Sequence, residues 1–272
     1  IFKMAKFVPD IETKRWVIIA PARAKRPDQA KNQTNICVFC PGNEHLTPPE
    51  IFRIGEGQPG KPGWKVRVVP NKYPITDFHE VIIHSPNDSV DIEDLSIEHV
   101  DLIFQTYKMR FNAHREHGHV LIFNNHGATA GASILHPHSQ VVVVPKQITL
   151  DTLHLEPVNN LISDEEHFTV YAPDFSQWPY EVWLAPKRKG GTFGDIADSE
   201  IKNLAQILQK ILKKLTTKFA NLDYNYYIHH GADWYLRVLP RTIHRAGFEL
   251  GTGLSVNIAD PALVVKELQN LQ

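Results

Sequence analysis

His136-Pro137-His138-Ser139-Gln140 sets two imidazoles and a carboxamide at alternate positions, so in an extended strand the three side chains share a face. An imidazole can attack phosphorus and hold a phosphoryl or nucleotidyl group covalently. A carboxamide two residues on can donate to the oxygens of that group without bringing a competing proton. Just upstream, residues 124–133 read Asn-Asn-His-Gly-Ala-Thr-Ala-Gly-Ala-Ser, a small, glycine-punctuated stretch in which backbone can approach a phosphate closely. Just downstream, Val141-Val142-Val143-Val144-Pro145 fits a buried strand ended by proline. Cys37 and Cys40, the only two cysteines, form a C-x-x-C whose spacing favours a metal or redox pair over a structural disulfide. The alternative, a core strand with satisfied histidines, does not account for the glycine-rich approach beside it.

The rest of the chain must position these groups. Its 272 residues can bury a large core in one big domain or two moderate ones. With 29 Lys+Arg against 30 Asp+Glu, no global field recruits nucleic acid or a membrane surface. The 15 histidines are the compositional outlier and point to metal or acid–base chemistry without locating it. No apolar run approaches the ~20 residues of a membrane span, and residues 1–10 lack the order of a signal peptide. A cytoplasmic globular protein is the expectation.

Trp16–Ala20 reads as a first strand closed by Pro21, and the Pro-, Asn- and Gly-rich 23–62 segment as irregular structure wrapping the core. Val66–Pro70, Glu80–His84, His119–Asn124 and Ser139–Val144 read as strands. Between them, Val100, Ile103, Phe104, Tyr107 and Phe111 define one face of a helix from Ser96, its cap, to His117. The outline then repeats: strands at Phe168–Ala172 and Glu181–Ala185, a helix over Ser199–Phe219 with a Lys-rich outer face, and strands at Tyr224–Ile228 and Trp234–Pro240. The spacing predicts an α+β fold of duplicated units, a mainly antiparallel sheet with one long helix per half. Residues 1–150 form the first half and 151–272 the second, joined through a polar loop around 146–163.

The chain resembles the galactose-1-phosphate uridylyltransferase family, the nucleotidyltransferase branch of the histidine-triad superfamily. The residues that carry this are collinear: Trp16–Pro21 with the basic turn Arg23–Pro27; Cys37–Asn43; Trp64–Pro74; Asn125 through Gln140, without a gap; and Ala246–Gly253. The resemblance implies two histidine-triad-like halves, in keeping with the repeat. It also implies a catalytic pair of His138, the nucleophile that becomes a nucleotidyl-imidazole, and Gln140, which stabilises charge on the transferred group. Arg23, Arg26, Asn71, Asn125, Gly131 and Ser133 would contact nucleotide and phosphate, and Phe248 and Glu249 the sugar-phosphate end. His136 would join Cys37 and Cys40 on a structural zinc. Relatives often carry Ser-Pro-Asp-His where this chain has Ser85-Pro86-Asn87-Asp88, which leaves Asp88, the favoured choice, or His84 as the fourth ligand. Arg237 stands in the strand where some relatives carry histidines for a second metal, and a cation cannot ligate one.

Uridylyl exchange between UDP-glucose and a hexose 1-phosphate, with ping-pong kinetics, is the first functional expectation. An ADP-sugar phosphorylase using the same covalent histidine is the alternative. A catalytically retired, zinc-stabilised nucleotide-binding protein is the second. Gln140, which cannot serve as a general acid, argues for transfer over hydrolysis. The expected partners are a nucleotide sugar and a sugar 1-phosphate, with a homodimer implied by the resemblance and no nucleic acid or membrane.

Overall fold

A computed structural model describes residues 5–10, 15–26, 36–150, 153, 155 and 158–271. Residues 27–35, part of the segment expected to be irregular, and parts of the expected 146–163 join lie outside the described residues. A two-stranded ribbon, β1 (Lys6–Pro9) and β2 (Trp16–Ile19), opens the chain. A ten-stranded antiparallel sheet follows. Its strands are β3 (Phe52–Gly55), β4 (Trp64–Pro70), β5 (His79–Ile83), β6 (His119–His126), β7 (His138–Val144), β8 (Leu161–Asp164), β9 (Phe168–Tyr171), β10 (Val182–Pro186), β11 (Tyr224–Ile228) and β12 (Leu236–Pro240). The spatial order is β3-β4-β5-β7-β6-β11-β12-β10-β9-β8. The order therefore reads the same from both edges, and the mirror line is the β6–β11 pairing, where Asn125 faces Asn225.

Two long helices cover one face. α1 (Ile97–His114) starts at Ser96, whose side chain accepts the His99 N–H at 3.2 Å. α2 (Asp198–Lys218) starts where the Glu200 carboxylate reaches back to the Ala197 N–H at 2.6 Å. The expected apolar stripes are the buried ones, Val100, Ile103, Phe104, Tyr107 and Phe111 on α1 and Ile201, Leu204, Leu208, Ile211, Leu212 and Leu215 on α2. All of them join one core with the alternate strand residues Ile82, Val141, Val143, Val182, Leu184 and Val238. Each such side chain contributes roughly 1.5–3 kcal/mol of burial. Lys214 departs from the Lys-rich outer face: it turns inward to the carbonyls of Leu268 and Leu271. Those carbonyls close α4 (Pro261–Asn270), a helix the periodicity reading passed over although Asp260 caps it and Pro261 opens it. β3 corrects the expectation of wholly irregular structure over 23–62. It is a half-exposed edge strand that pairs only with β4, so it lacks the continuous apolar signal of a buried strand.

The opposite face is divided. In the first half it leaves a cleft above β5 and β7. In the second half the corresponding ground is filled: Trp183 stacks on Tyr235 at 4.2 Å between centroids, over Tyr171 and Leu155. Arg237, opposite Trp183 on β12, corresponds by register to Gln140 opposite Val81 on β7. Its guanidinium grips Glu181 through two bonds, of 2.6 and 2.8 Å, and the carboxylate also accepts from Trp183 Nε1 at 2.6 Å. Glu181 is wholly buried, so removing its cation strands a charge in the protein interior. Arg237→Met is therefore expected to destabilise the fold by about 3–5 kcal/mol, read as a lowered midpoint in urea unfolding; an unchanged midpoint would contradict the burial argument.

Candidate functional site

β7 alternates between the two faces. Ser139, Val141 and Val143 point to the helices, while His138, Gln140, Val142 and Val144 point the other way. Below His138 and Gln140, the open face is closed by the ribbon through Phe7 and Trp16. His138 is almost fully buried, and its Nδ1 lies 2.8 Å from the carbonyl oxygen of His136. That carbonyl can only accept, so the proton sits on Nδ1 and the lone pair on Nε2. Burial, with His136 and Arg26 nearby, holds the ring's pKa down to about 4 despite the stabilising carbonyl. His138 is therefore neutral at pH 7. The backbone around it is fixed by Asn124 Nδ2 donating to the His138 carbonyl at 2.8 Å and by the His84 N–H donating to Pro137 at 3.1 Å.

The cleft in front of His138 encloses about 130 Å³. Phe39, Val38, Leu46 and Val69 give it apolar walls, Asn71 and Tyr73 stand on one side, and Arg26 with Ser133 stands on the other. Phe39 meets the His138 ring edge-on at 5.3 Å between centroids. A short 3-10 helix, Pro21–Lys25, delivers the two arginines. Arg23 donates to the Tyr73 carbonyl at 2.6 Å, and Arg26 donates to Ser133 Oγ from two nitrogens, at 2.9 and 2.5 Å. Arg26 thus lies with Ser133 at the cleft, whereas Arg23 braces its rim.

The glycine-rich loop is held by the second half. Asp223 accepts the Thr129 N–H at 2.6 Å, and Asn225 Nδ2 donates to Asn125 Oδ1 at 2.8 Å and to the Ala130 carbonyl at 2.9 Å. Gly127 has φ +82, and a Cβ there would lie 1.7 Å from Asp223 Oδ1, so only glycine fits. Gly131, at φ +89, turns the loop back beside the Asn125 amide.

His136 Nδ1 lies 3.3 Å from Cys37 Sγ and 3.6 Å from Cys40 Sγ. Metal–sulfur bonds of about 2.3 Å and metal–nitrogen bonds of about 2.0 Å in a tetrahedron imply S···N edges of roughly 3.5 Å, so the spacing fits a bound cation. His136 Nε2 donates to the Ser85 carbonyl at 2.8 Å, which turns the Nδ1 lone pair toward the sulfurs. Burial raises the Cys37 thiol, but hydrogen bonds with His136 and Cys40 outweigh it and bring it below its usual value. Burial and the bonds to Cys37 and Asp88 push Cys40 up. One thiolate is favoured and the second resisted, the response expected of anionic donors brought together without a cation. Asp88 Oδ2 touches Cys40 Sγ at 3.3 Å. His84 lies elsewhere: its Nε2 meets Ser139 Oγ at 2.8 Å and Tyr107 OH at 3.0 Å, on the helix side of the sheet.

The structure thus brings Arg26, Asn71, Ser133, His138 and Gln140 to one cleft, with Arg23, Asn125 and Gly131 at its supports. It does not bring Phe248 and Glu249 there. They sit on α3 (Gly247–Thr252), where Phe248 is exposed and Glu249 caps the helix through the Ala246 N–H. Phe39 and His79 escaped the sequence reading. Phe39 lay inside the C-x-x-C and His79 just before an apolar strand; the signal available was that 79, 81 and 83 alternate with the helix-facing positions.

A sequence profile of the galactose-1-phosphate uridyl transferase C-terminal domain matches residues 119–236. One of the N-terminal domain of a family of unknown function (DUF4931) matches residues 19–147. The ADP-glucose phosphorylase of Arabidopsis thaliana is 29% identical over 96% of this chain and 92% of its own length. The galactose-1-phosphate uridylyltransferase of Thermotoga maritima is 25% identical over 77% and 74%. The crystal structure of an Arabidopsis thaliana ADP-glucose phosphorylase with bound ADP-glucose superposes with a TM-score of 0.78 at 28% identity, covering 98% of this chain and 99% of that one. Over nearly its whole length the chain is similar to members of the galactose-1-phosphate uridylyltransferase-like family. It has the antiparallel α+β fold of its structural relatives. Among the described residues no helix is long and apolar enough to cross a membrane.

Burial holds His79 as well as His138 down to about 4, against an ordinary 6.5. Between those values the unfolded chain binds more protons than the folded one, so stability rises with pH across that window. It is complete above pH 6.5 and lost as pH falls toward 4. Urea unfolding midpoints at pH 7 and pH 5 check this: the pH 5 midpoint is expected to be lower, and an equal or higher one contradicts it.

Proposed function

We propose that this chain transfers a nucleotidyl group through a covalent intermediate on His138 Nε2, with an ADP-sugar as donor and phosphate as acceptor. The observation that carries the covalent step is the neutral, buried imidazole whose Nδ1 proton is committed to the His136 carbonyl. Nε2 attacks the α-phosphorus, and the bond to the bridging oxygen breaks, its electron pair leaving with sugar 1-phosphate. A phosphate oxygen then attacks the same phosphorus, and the imidazole leaves with its lone pair restored. The Gln140 amide and the Arg26–Ser133 pair are proposed to hold the non-bridging oxygens, Asn71 the nucleoside, and Phe39 the base, through its ring. The adenylyl version rests on similarity to ADP-glucose phosphorylase along nearly the whole of both chains, against about three-quarters for the uridylyltransferase of Thermotoga maritima. Uridylyl transfer from UDP-glucose to a hexose 1-phosphate is the second reading, favoured by the match of residues 119–236 to the uridyl transferase C-terminal domain.

On this reading residues 1–150 carry nucleotide and metal, while 151–272, including Phe248 and Glu249, serve the sugar-phosphate side in a homodimer. Two thiolates, the His136 imidazole and a carboxylate suit zinc, and Asp88 is proposed as the fourth ligand. Bound there, zinc supplies structure, tying the N-terminal segment to the residues just before β7.

Brief incubation with ADP-glucose, without acceptor, is expected to add an adenylyl mass to the intact protein, and His138→Ala to abolish the adduct. A uridylyl adduct from UDP-glucose alone would select the second reading, and no adduct from either donor would overturn covalent transfer. Cys37→Ser is expected to lose about one zinc per chain, measured by elemental analysis, and to lower the melting temperature. Full retention of metal would remove Cys37 from the site.

A further inference from the structure

His79 is the buried titratable group nearest the cleft that the transfer chemistry leaves without a role. It stands at the start of β5, 4% exposed, facing the same side as Val81 and Ile83. Its Nδ1 lies 2.9 Å from the Ile75 backbone nitrogen, its Nε2 lies 2.9 Å from Gln140 Oε1, and Asn71 Nδ2 lies 3.1 Å from the same Nε2.

The Ile75 N–H is a backbone donor with no alternative orientation, so His79 Nδ1 must accept and its proton must sit on Nε2. A proton on Nε2 can be given only to an acceptor. Asn71 presents its nitrogen here because its Oδ1 accepts the Tyr73 N–H at 2.8 Å. The Nε2 proton therefore goes to Gln140, which must present its oxygen to His79. A carboxamide whose oxygen is fixed in this way turns its NH₂ group in the opposite sense. An oxygen turned to the phosphoryl group would repel the charge that the NH₂ attracts.

We infer that His79 is a positioning residue for nucleotidyl transfer, which fixes the Gln140 amide so that its NH₂ donates toward the phosphoryl group on His138. The inference rests on the proposed covalent chemistry for its functional meaning, while the hydrogen bond itself is independent of it. The groups facing His79 are Asn71, Gln140, the Ile75 amide and, at longer range, Arg23, Arg26 and Glu80.

Two measurements test it. Imidazole ¹⁵N spectra of the intact protein are expected to show His79 as the Nε2–H tautomer at pH 7, with its Nε2 resonance moving in Gln140→Ala. An Nδ1–H tautomer, or no movement, overturns the inference even if the protein forms no adduct with any nucleotide sugar. In rapid-quench adduct formation, His79→Leu is expected to slow the covalent step about 10- to 100-fold, within the range for loss of one oriented donor, with donor affinity nearly unchanged. His79→Gln, which retains an N–H donor, is expected to recover part of the rate. In the Gln140→Ala background, His79→Leu is expected to cost little more. Additive losses there, or no rescue by glutamine, would show that His79 acts only through packing. An absence of adduct in the wild-type protein would instead remove the covalent reading and leave the tautomer to decide the hydrogen bond.

Discussion

The hydrogen bond from His138 Nδ1 to the carbonyl of His136 sets the state of the only imidazole facing the cleft among the residues that line it. It requires a buried ring, since exposed histidine would exchange protons and tautomers freely. It also requires a rigid carbonyl, and that rigidity is supplied from several sides. His136 is drawn toward Cys37 and Cys40 through its ring, Pro137 accepts from His84, and Asn124 holds the next carbonyl. The proposed metal thus lies on His136, two residues from His138, without touching the His138 ring. Its value is that His136 cannot move without breaking its contacts to both sulfurs.

Much of this was legible because strands and helices write their periods into the sequence. The β7 alternation put His138 and Gln140 on one face before any contact was seen, and the stripes of α1 and α2 named the core side chains that are in fact buried. Asp88, read by register with Ser85-Pro86, stands 3.3 Å from Cys40 Sγ, while the parity of β5 sends His84 toward Tyr107 and Ser139 on the other face. What stayed hidden is pairing between distant segments. Nothing local marks Asp223 as the reason residue 127 must be glycine, because the two meet only once β6 and β11 pair. His79 was hidden likewise: its partners Gln140 and Ile75 arrive from a later strand and from the β4–β5 connection. β3 and α4 were missed for a plainer reason, the weak apolar signal of an edge strand and of a short terminal helix.

The two halves have used the same ground differently. Where β7 offers His138 and Gln140 to a cleft, Tyr235 just before β12 and Arg237 on it face a packed aromatic layer closed by Glu181. A buried ion pair is a costly way to fill space, and its carboxylate is satisfied by Trp183, Gln177 and Trp178 as well as by the guanidinium. The second half contributes from its edge, where Asp223 and Asn225 hold the glycine-rich loop. The cleft therefore lies on one side of the sheet's mirror line, and the residues that hold its glycine-rich loop lie on the other.

The β6–β11 ladder has a kinetic consequence. Backbone pairing runs unbroken from Ile122–Ile228 to His126–Tyr224 across the mirror line, so this seam joins the halves as one continuous ladder rather than a hinge. If the proposed two-step transfer holds, release of the first product and entry of the second substrate fall to short segments at the rim. Arg26 and the turn around Asn71–Tyr73 stand there, the turn tied to β5 by the Asn71 N–H to the His79 carbonyl at 2.8 Å and both braced by side-chain bonds. On that proposal turnover follows how fast small loops exchange one anion for another, while the frame holding His138 stays still.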